Sequence, residues 1–293
     1  MSPEPAPLPQ SGSSSIAASN GDTVEGALGA ISSWGATHSC AAASNADGVL
    51  AVHGEAEHPF EIASITKLLT AWTVLIAVEE GTLSLDGAAG PPGSTVRNLL
   101  SHTSGLDFDS RRILSPPGQR RIYSNSGYEA LAAHLEDSSG LSFAEYLTEG
   151  VLQPLGMHNT RLEGSPASGL VSSMADLLVF LDEFRRPRLL STVTTELLRT
   201  VQYPSLAGVL PGWGRQDPCD WGLGPEIRGD KSPHWSGQTA GRTTLGHFGG
   251  SGCFLWLDPP SGLGCIALGD RPFGDWSVGL WPGFSDSVRA AAG

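Results

Sequence analysis

The sequence predicts an α+β fold, an antiparallel sheet flanked by helices and carrying a second, all-helical lobe. Three observations predict it. A glycine-closed strand pair lies near the start, the middle of the chain reads as short helices and loops, and three strand-like segments followed by a helix close the chain. The order helix, two strands, helical insert, then antiparallel strands and helix fits a helix-flanked antiparallel sheet carrying an α-helical second lobe.

The elements follow in order. Residues 1–22, rich in Pro, Ser and Ala, read as a flexible tail, and 23–293 as the folded unit. Val24, Leu28 and Ile31 share one face of a short helix capped by Asp22 or Thr23. His38–Ala43, the Ser44-Asn45-Ala46-Asp47-Gly48 turn and Val49–His53 form a hairpin. An apolar helix opens at Ser64 and ends near Glu80-Gly81, with glycine as its C-cap. Helices are expected at Val96–His102, Tyr128–Ser138 and Ser142–Thr148. Ser173-Met174-Ala175-Asp176 has capping-box spacing before Leu177, Leu178, Phe180 and Leu181. Strands are expected at Thr243–Phe248, Cys253–Leu257 and Cys265–Leu268, the last two joined by Pro259-Pro260-Ser261-Gly262, and a terminal helix from Phe284. The α/β part then covers about 23–90 and 165–293, and the helical lobe about 91–164. No internal repeat is visible.

Composition narrows the partners. The chain has 293 residues, 40% hydrophobic and 16% charged, as globular proteins do. Its net charge of −13, without a basic stripe, argues against nucleic acid and anionic membranes. The apolar run Leu68–Val78 is too short to span a bilayer. Met1–Asn20 lacks the basic start and apolar core of an ordinary signal peptide, so a cytoplasmic location is expected. Cys40, Cys219, Cys253 and Cys265 show no CxxC or metal spacing, and the histidines show none either, so no metal or other cofactor is expected. Cys253 and Cys265 could face each other across a hairpin, although reduced core thiols are the expected state in a cytosolic chain.

The chain holds two lysines, and Lys67 follows Ser64 by three residues at the head of the apolar helix. Positions i and i+3 share a helix face, which puts the amine within reach of the hydroxyl. A serine hydroxyl is a poor nucleophile unless a nearby base, such as an amine kept neutral by burial, takes its proton. Taken alone, Ser64 reads more readily as a helix cap and Lys67 as a solvated charge, but a lysine in the first turn opposes the helix dipole. Two further segments follow in order, Tyr123-Ser124-Asn125 and His247-Phe248-Gly249-Gly250. Each is weak by itself, as a turn or a strand-edge histidine. The glycines after His247 let a substrate carbonyl approach the main chain. His102 reads as a structural loop residue, since no acid stands beside it in a triad pattern. Trp221 and Trp235 either line a pocket or pack a core. The absence of GxSxG argues against an α/β-hydrolase.

With these three motifs in this order, the chain resembles the serine β-lactamase and penicillin-binding-protein-like hydrolases, in the branch of class C β-lactamases, DD-peptidases and family VIII esterases. The resemblance runs from about Val24 to the C-terminus. It includes Phe60-Glu61-Ile62-Ala63-Ser64-Ile65-Thr66-Lys67, Glu79-Glu80-Gly81-Thr82-Leu83-Ser84-Leu85-Asp86, Leu99-Leu100-Ser101-His102-Thr103-Ser104-Gly105-Leu106, Tyr123-Ser124-Asn125-Ser126-Gly127-Tyr128 and Pro154-Leu155-Gly156-Met157. It implies that family's antiparallel sheet flanked by helices, and an acyl-enzyme formed on Ser64. Lys67 would hold or receive the hydroxyl proton, and Tyr123, as phenolate or relay, would share base work and protonate the leaving group. Asn125 would contact the substrate's amide or acyl side chain. His247 would tune Tyr123 and, if protonated, accept a substrate carboxylate. Gly249 would help bind substrate, and the N–H groups of Ser64 and Gly250 would form the oxyanion hole. The implied substrate is an ester, amide or small peptide; the alternative is a catalytically silent relative that binds such a ligand. Only 59 positions separate Ser64 from Tyr123, fewer than in larger class C relatives, and Asp107–Gln119 is brief. A shortened pocket wall, and hence a reduced helical lobe, favours esterase over β-lactamase activity.

Overall fold

The computed structural model describes residues 23–293, so the tail expected at residues 1–22 lies outside the described residues. Thr23 caps the first helix, α1 (Val24–Gly29), its hydroxyl accepting the Gly26 N–H. The hairpin follows as β1 (Ser39–Asn45) and β2 (Gly48–Gly54). Short β3 (Phe60–Glu61) leads into a 3₁₀ turn at Ala63–Ile65 and then α2 (Thr66–Glu79). The helices α3 (Val96–Leu100), α4 (Asn125–Ser139), α5 (Phe143–Leu147) and α6 (Gln153–Leu155) come next. After β4 (Arg161–Leu162), β5 (Leu170–Ser172), α7 (Met174–Arg185) and α8 (Thr192–Arg199) come β6 (Gly208–Leu210), β7 (Gly214–Gln216) and β8 (Glu226–Ile227). The chain closes with β9 (Leu245–Gly249), β10 (Cys253–Asp258), β11 (Leu263–Gly269) and α9 (Asp275–Ala292).

The main sheet is antiparallel throughout, in the order β2-β1-β11-β10-β9-β8. Its first two strands come from the start of the chain and the rest from the end. Both faces are covered. Cys40, Ala42, Leu255, Leu257, Ile266 and Leu268 belong to one core with α2 and α7. Ala41, Ala43, Phe254, Trp256, Cys265 and Ala267 point the other way, onto Leu28 of α1 and Trp281, Phe284 and Val288 of α9. Side chains alternate across a strand, so a sheet covered twice needs apolar residues at nearly every position of its middle strands. This explains why β11 reads as a continuous apolar run. A small sheet, β3-β5-β4, and the β6-β7 pair stand apart from it.

Several expectations need correction. The terminal helix starts at Asp275, nine residues before the expected Phe284, and contains Pro282. Proline inside a helix costs roughly 3 kcal/mol, but burying Trp281, Phe284 and Val288 returns about 1.5–3 kcal/mol each. Helix α4 begins at Asn125 rather than Tyr128, because the Ser124 hydroxyl accepts the Gly127 N–H as an N-cap. Cys253 and Cys265 cannot pair: Cys265 lies opposite Trp256, and the two thiols belong to cores on opposite faces of the sheet. All four cysteines are free and buried. Among the described residues, no helix is long and apolar enough to cross a membrane.

Candidate active site

Ser64 sits where the main sheet meets α2 and α4. The 3₁₀ turn that carries it is pinned from one side by β5. The Ile62 N–H donates to the Leu170 carbonyl (3.0 Å), and the Leu170 N–H donates to the Thr66 hydroxyl (3.1 Å). Ala63, just before Ser64, has φ +43, a left-handed conformation that non-glycine residues adopt at a cost of about 1–3 kcal/mol. From Thr66 through Ala77, every residue of α2 is buried. Lys67, the second residue of this enclosed helix, has no path to solvent and is 0% exposed.

Its amine donates three hydrogen bonds: to Ser64 Oγ (3.2 Å), to Asn125 Oδ1 (2.6 Å) and to the Ala167 carbonyl (2.9 Å). Burial lowers its pKa to about 7, against the opposing pull of Asp109 and Glu129. A neutral amine keeps two hydrogens and one lone pair. With Asn125 and Ala167, which are pure acceptors here, holding the two hydrogens, the lone pair is left for the Ser64 hydroxyl proton.

Tyr123 and Asn125 reach the site from the start of α4. His102 brackets this segment. Its carbonyl accepts the Ile122 N–H (2.8 Å), and its Nδ1 accepts the Ser124 N–H (3.2 Å). Its ring lies 4.6 Å from that of Tyr123. Burial raises the Tyr123 pKa, and contact with the Ser64 hydroxyl offsets only part of the rise. Of the two expected forms, phenolate and relay, the raised pKa disfavours the phenolate. The Lys67 amine rests 4.7 Å from the centre of its ring. Both ends of the Asn125 amide are engaged, Oδ1 by Lys67 and Nδ2 by Asp109 Oδ1 (2.7 Å).

His247 lies on β9 with its Nδ1 2.7 Å from the Phe248 carbonyl. A carbonyl can only accept, so Nδ1 carries the hydrogen and Nε2 is a bare acceptor, buried without a partner. Burial first, and then the charge of Lys67, lower its pKa to about 3. The expected capture of a substrate carboxylate by a protonated His247 does not fit this neutral ring. Gly249 packs against the turn before Ser64: a Cβ there would come within 2.6 Å of Cys253 Sγ and 2.7 Å of the Ile62 carbonyl. It lets β9 close on Ser64 rather than facing the pocket. Gly250 has open space at its Cβ position and lines the pocket with Ser64.

That pocket, of about 130 Å³, is lined by Ser64, Tyr123, His247 and Gly250 together with apolar groups, among them Phe108, Leu210, Trp221 and Phe273. A family profile described as Beta-lactamase matches residues 25–281. The chain belongs to the β-lactamase family. A crystallised β-lactamase from Mycobacterium bovis is 49% identical, with a TM-score of 0.88 over 90% of this chain and 98% of that one. Penicillin-binding protein 4* of Bacillus subtilis is 33% identical over 136 residues, 35% of this chain and 30% of its own length. The chain thus matches about a third of that curated relative. A simvastatin synthase from Aspergillus terreus shares the fold at 18% identity, with a TM-score of 0.74 over 92% of this chain and 95% of that one.

This β-lactamase-family chain holds groups at its site that its motifs did not reveal. Asp109, Phe108 and the Ala167 carbonyl come from loops without a local signal. Trp221, left open between pocket and core, lines the pocket, whereas Trp235 packs the core and donates to buried Glu226 (2.7 Å). Glu226 also pairs with Lys231 (3.1 Å) and His234 (3.0 Å). This closed cluster, on the strand beside His247, stiffens the wall behind the pocket.

Proposed function

We propose that this β-lactamase-family chain is a serine hydrolase that forms a covalent acyl-enzyme on Ser64, with small neutral esters as its preferred substrates. The observation that carries the reading is the buried Lys67 amine, 3.2 Å from Ser64 Oγ with its other hydrogens held by Asn125 and Ala167. In this scheme the hydroxyl proton passes to Lys67 as Oγ bonds to the acyl carbon. The N–H groups of Ser64 and Gly250 hold the oxyanion, each worth ~3 kcal/mol in such a role. Tyr123 relays a proton to the departing alkoxide while the acyl–oxygen bond breaks. Water, deprotonated along the same path, then releases the acid and restores Ser64. The unpartnered Nε2 of His247 is an acceptor facing this relay.

Two features favour an ester over a carboxylate-bearing peptide or penicillin. His247 is neutral across the physiological range, and the pocket wall is apolar. β-lactam hydrolysis is the second reading, supported by the resemblance to the M. bovis protein described as a β-lactamase. Turnover of nitrophenyl esters and of a chromogenic cephalosporin, each compared with Ser64→Ala, separates the two. Intact mass after fluorophosphonate treatment tests the common step. A folded protein that neither turns over an ester nor acquires a Ser64-dependent adduct would instead be a silent ligand binder.

A further inference from the structure

We propose that His38, Glu55 and His58 form a binding site for a divalent transition-metal ion of the zinc type, apart from the Ser64 centre. The spacing of these residues gives no sign of it; the fold assembles the site. The Asp270 carboxylate accepts the N–H groups of Thr37 (2.7 Å) and His38 (3.2 Å), fixing the approach to β1. β2 ends at Gly54, whose φ is +101 and where a Cβ would fall 2.2 Å from the Ser39 carbonyl. Only glycine permits that approach, and it folds Glu55 back so that its N–H donates to the Ser39 carbonyl (3.2 Å). The Glu55 carboxylate then faces His38 Nδ1 at 3.1 and 3.2 Å. A turn closed by His58 N–H to the Glu55 carbonyl (3.3 Å) brings His58 Nδ1 to 3.9 Å from the same carboxylate. The two imidazoles stack at 4.0 Å, and His58 is held edge-on by Phe60 at 4.7 Å.

The result is two imidazole nitrogens and a carboxylate, all within 4.8 Å of one another; it is the one such group of three among the described residues. Zinc takes nitrogen at about 2.0–2.1 Å in tetrahedral geometry, which sets its ligand atoms roughly 3.3 Å apart. The His38–Glu55 pair already has that spacing. His58 must close about 0.6 Å on Glu55 and up to about 1.5 Å on His38, a movement open to a ring whose side chain is 26% exposed. The two stacked rings must also tilt so that their in-plane lone pairs converge. The donor set suits zinc, cobalt or nickel rather than magnesium or calcium, which take oxygen. Water would complete the coordination, since the site opens toward solvent beside a cavity lined by His58, Phe60, Gly250 and Asp270. A bound ion would tie the end of β2 to the strand that leads, six residues after His58, to Ser64.

Calorimetric titration of chelator-treated, tag-free protein with Zn²⁺ tests this, with Co²⁺ absorption as a second probe. The expected result is one ion per chain and visible Co²⁺ bands of a four- or five-coordinate site. Glu55→Gln and His58→Ala should each weaken binding at least about tenfold, while His53→Ala should leave it unchanged. Shifts of the His38 and His58 ring resonances on adding Zn²⁺ give a readout that needs no variant. The proposal is overturned if the parent binds no zinc up to millimolar concentration, or if His38→Ala/His58→Ala retains the parent's affinity and stoichiometry.

Discussion

Replacing Asp109 with Asn should move the pH at which Ser64 becomes reactive, in a direction and by an amount the geometry sets. In the proposed mechanism Lys67 takes the Ser64 proton only when neutral, and burial lowers its pKa to about 7. Below that pH, the acylation rate should fall about tenfold per unit; above it, the rate should level. Asp109 stabilises the ammonium through the Asn125 amide, across hydrogen bonds of 2.6 and 2.7 Å. The two charges therefore stand roughly 7 Å apart, an interaction of about 0.6–2.4 kcal/mol for effective dielectric constants from about 80 down to 20. At 1.36 kcal/mol per unit, Asp109→Asn should lower the inflection by about half a unit to somewhat under two units. Glu129→Gln, the lesser contributor, should move it less in the same direction. The assay is the rate of fluorophosphonate labelling at Ser64 from pH 5 to 9, checked against kcat/KM on a nitrophenyl ester. An inflection that stays put or moves to higher pH in Asp109→Asn would refute the reasoning, as would labelling that is flat with pH in the parent.

Other outcomes follow from the same contacts. Tyr123→Phe should lower ester turnover by about 10²–10⁴-fold, the usual value of a positioned proton relay, with folding unchanged by circular dichroism. Gly249→Ala should destabilise by about 1–3 kcal/mol in urea unfolding, since its methyl group meets Cys253 and Ile62, whereas Gly250→Ala should fall within about 0.5 kcal/mol of the parent. Lys231→Met should cost about 3–5 kcal/mol in the same assay by leaving the buried Glu226 charge without its partner. The pKa of Glu226 is lowered to about 2 from 4.5, so its contribution is present above pH 4.5 and lost as pH falls toward 2. The fall in unfolding free energy between pH 4.5 and 2, read by urea titration at each pH, should accordingly be shallower in Glu226→Gln than in the parent.

Local signals were legible where they acted locally. The hairpin turn, the Ser173 cap and the i, i+3 relation of Ser64 and Lys67 each depend on neighbours within a few residues, and the structure places them close to expectation. Local reasoning failed where burial overrode it. The terminal helix, expected from Phe284, starts nine residues earlier at Asp275, and Pro282 is carried inside it by the aromatic residues that α9 packs against the sheet. Asn125 and His247 are expected by resemblance to contact substrate; the groups set against the Asn125 amide and the His247 Nδ1, Asp109 and the Phe248 carbonyl, emerge only once loops and strands are placed. The His38–Glu55–His58 group had no sequence spacing to announce it.

By itself, the sequence determined which chemical groups are available: a serine with a lysine one turn on, a tyrosine, a histidine before glycines, and the apolar runs that must form a covered sheet. Only the tertiary structure decided their charge states and who holds whom. Whether an amine or an imidazole is charged depends on the water it loses and the charges it meets, and both are set by residues distant in the chain. The Lys67 pKa falls because α2 is enclosed, and that of His247 falls because β9 is buried beside it.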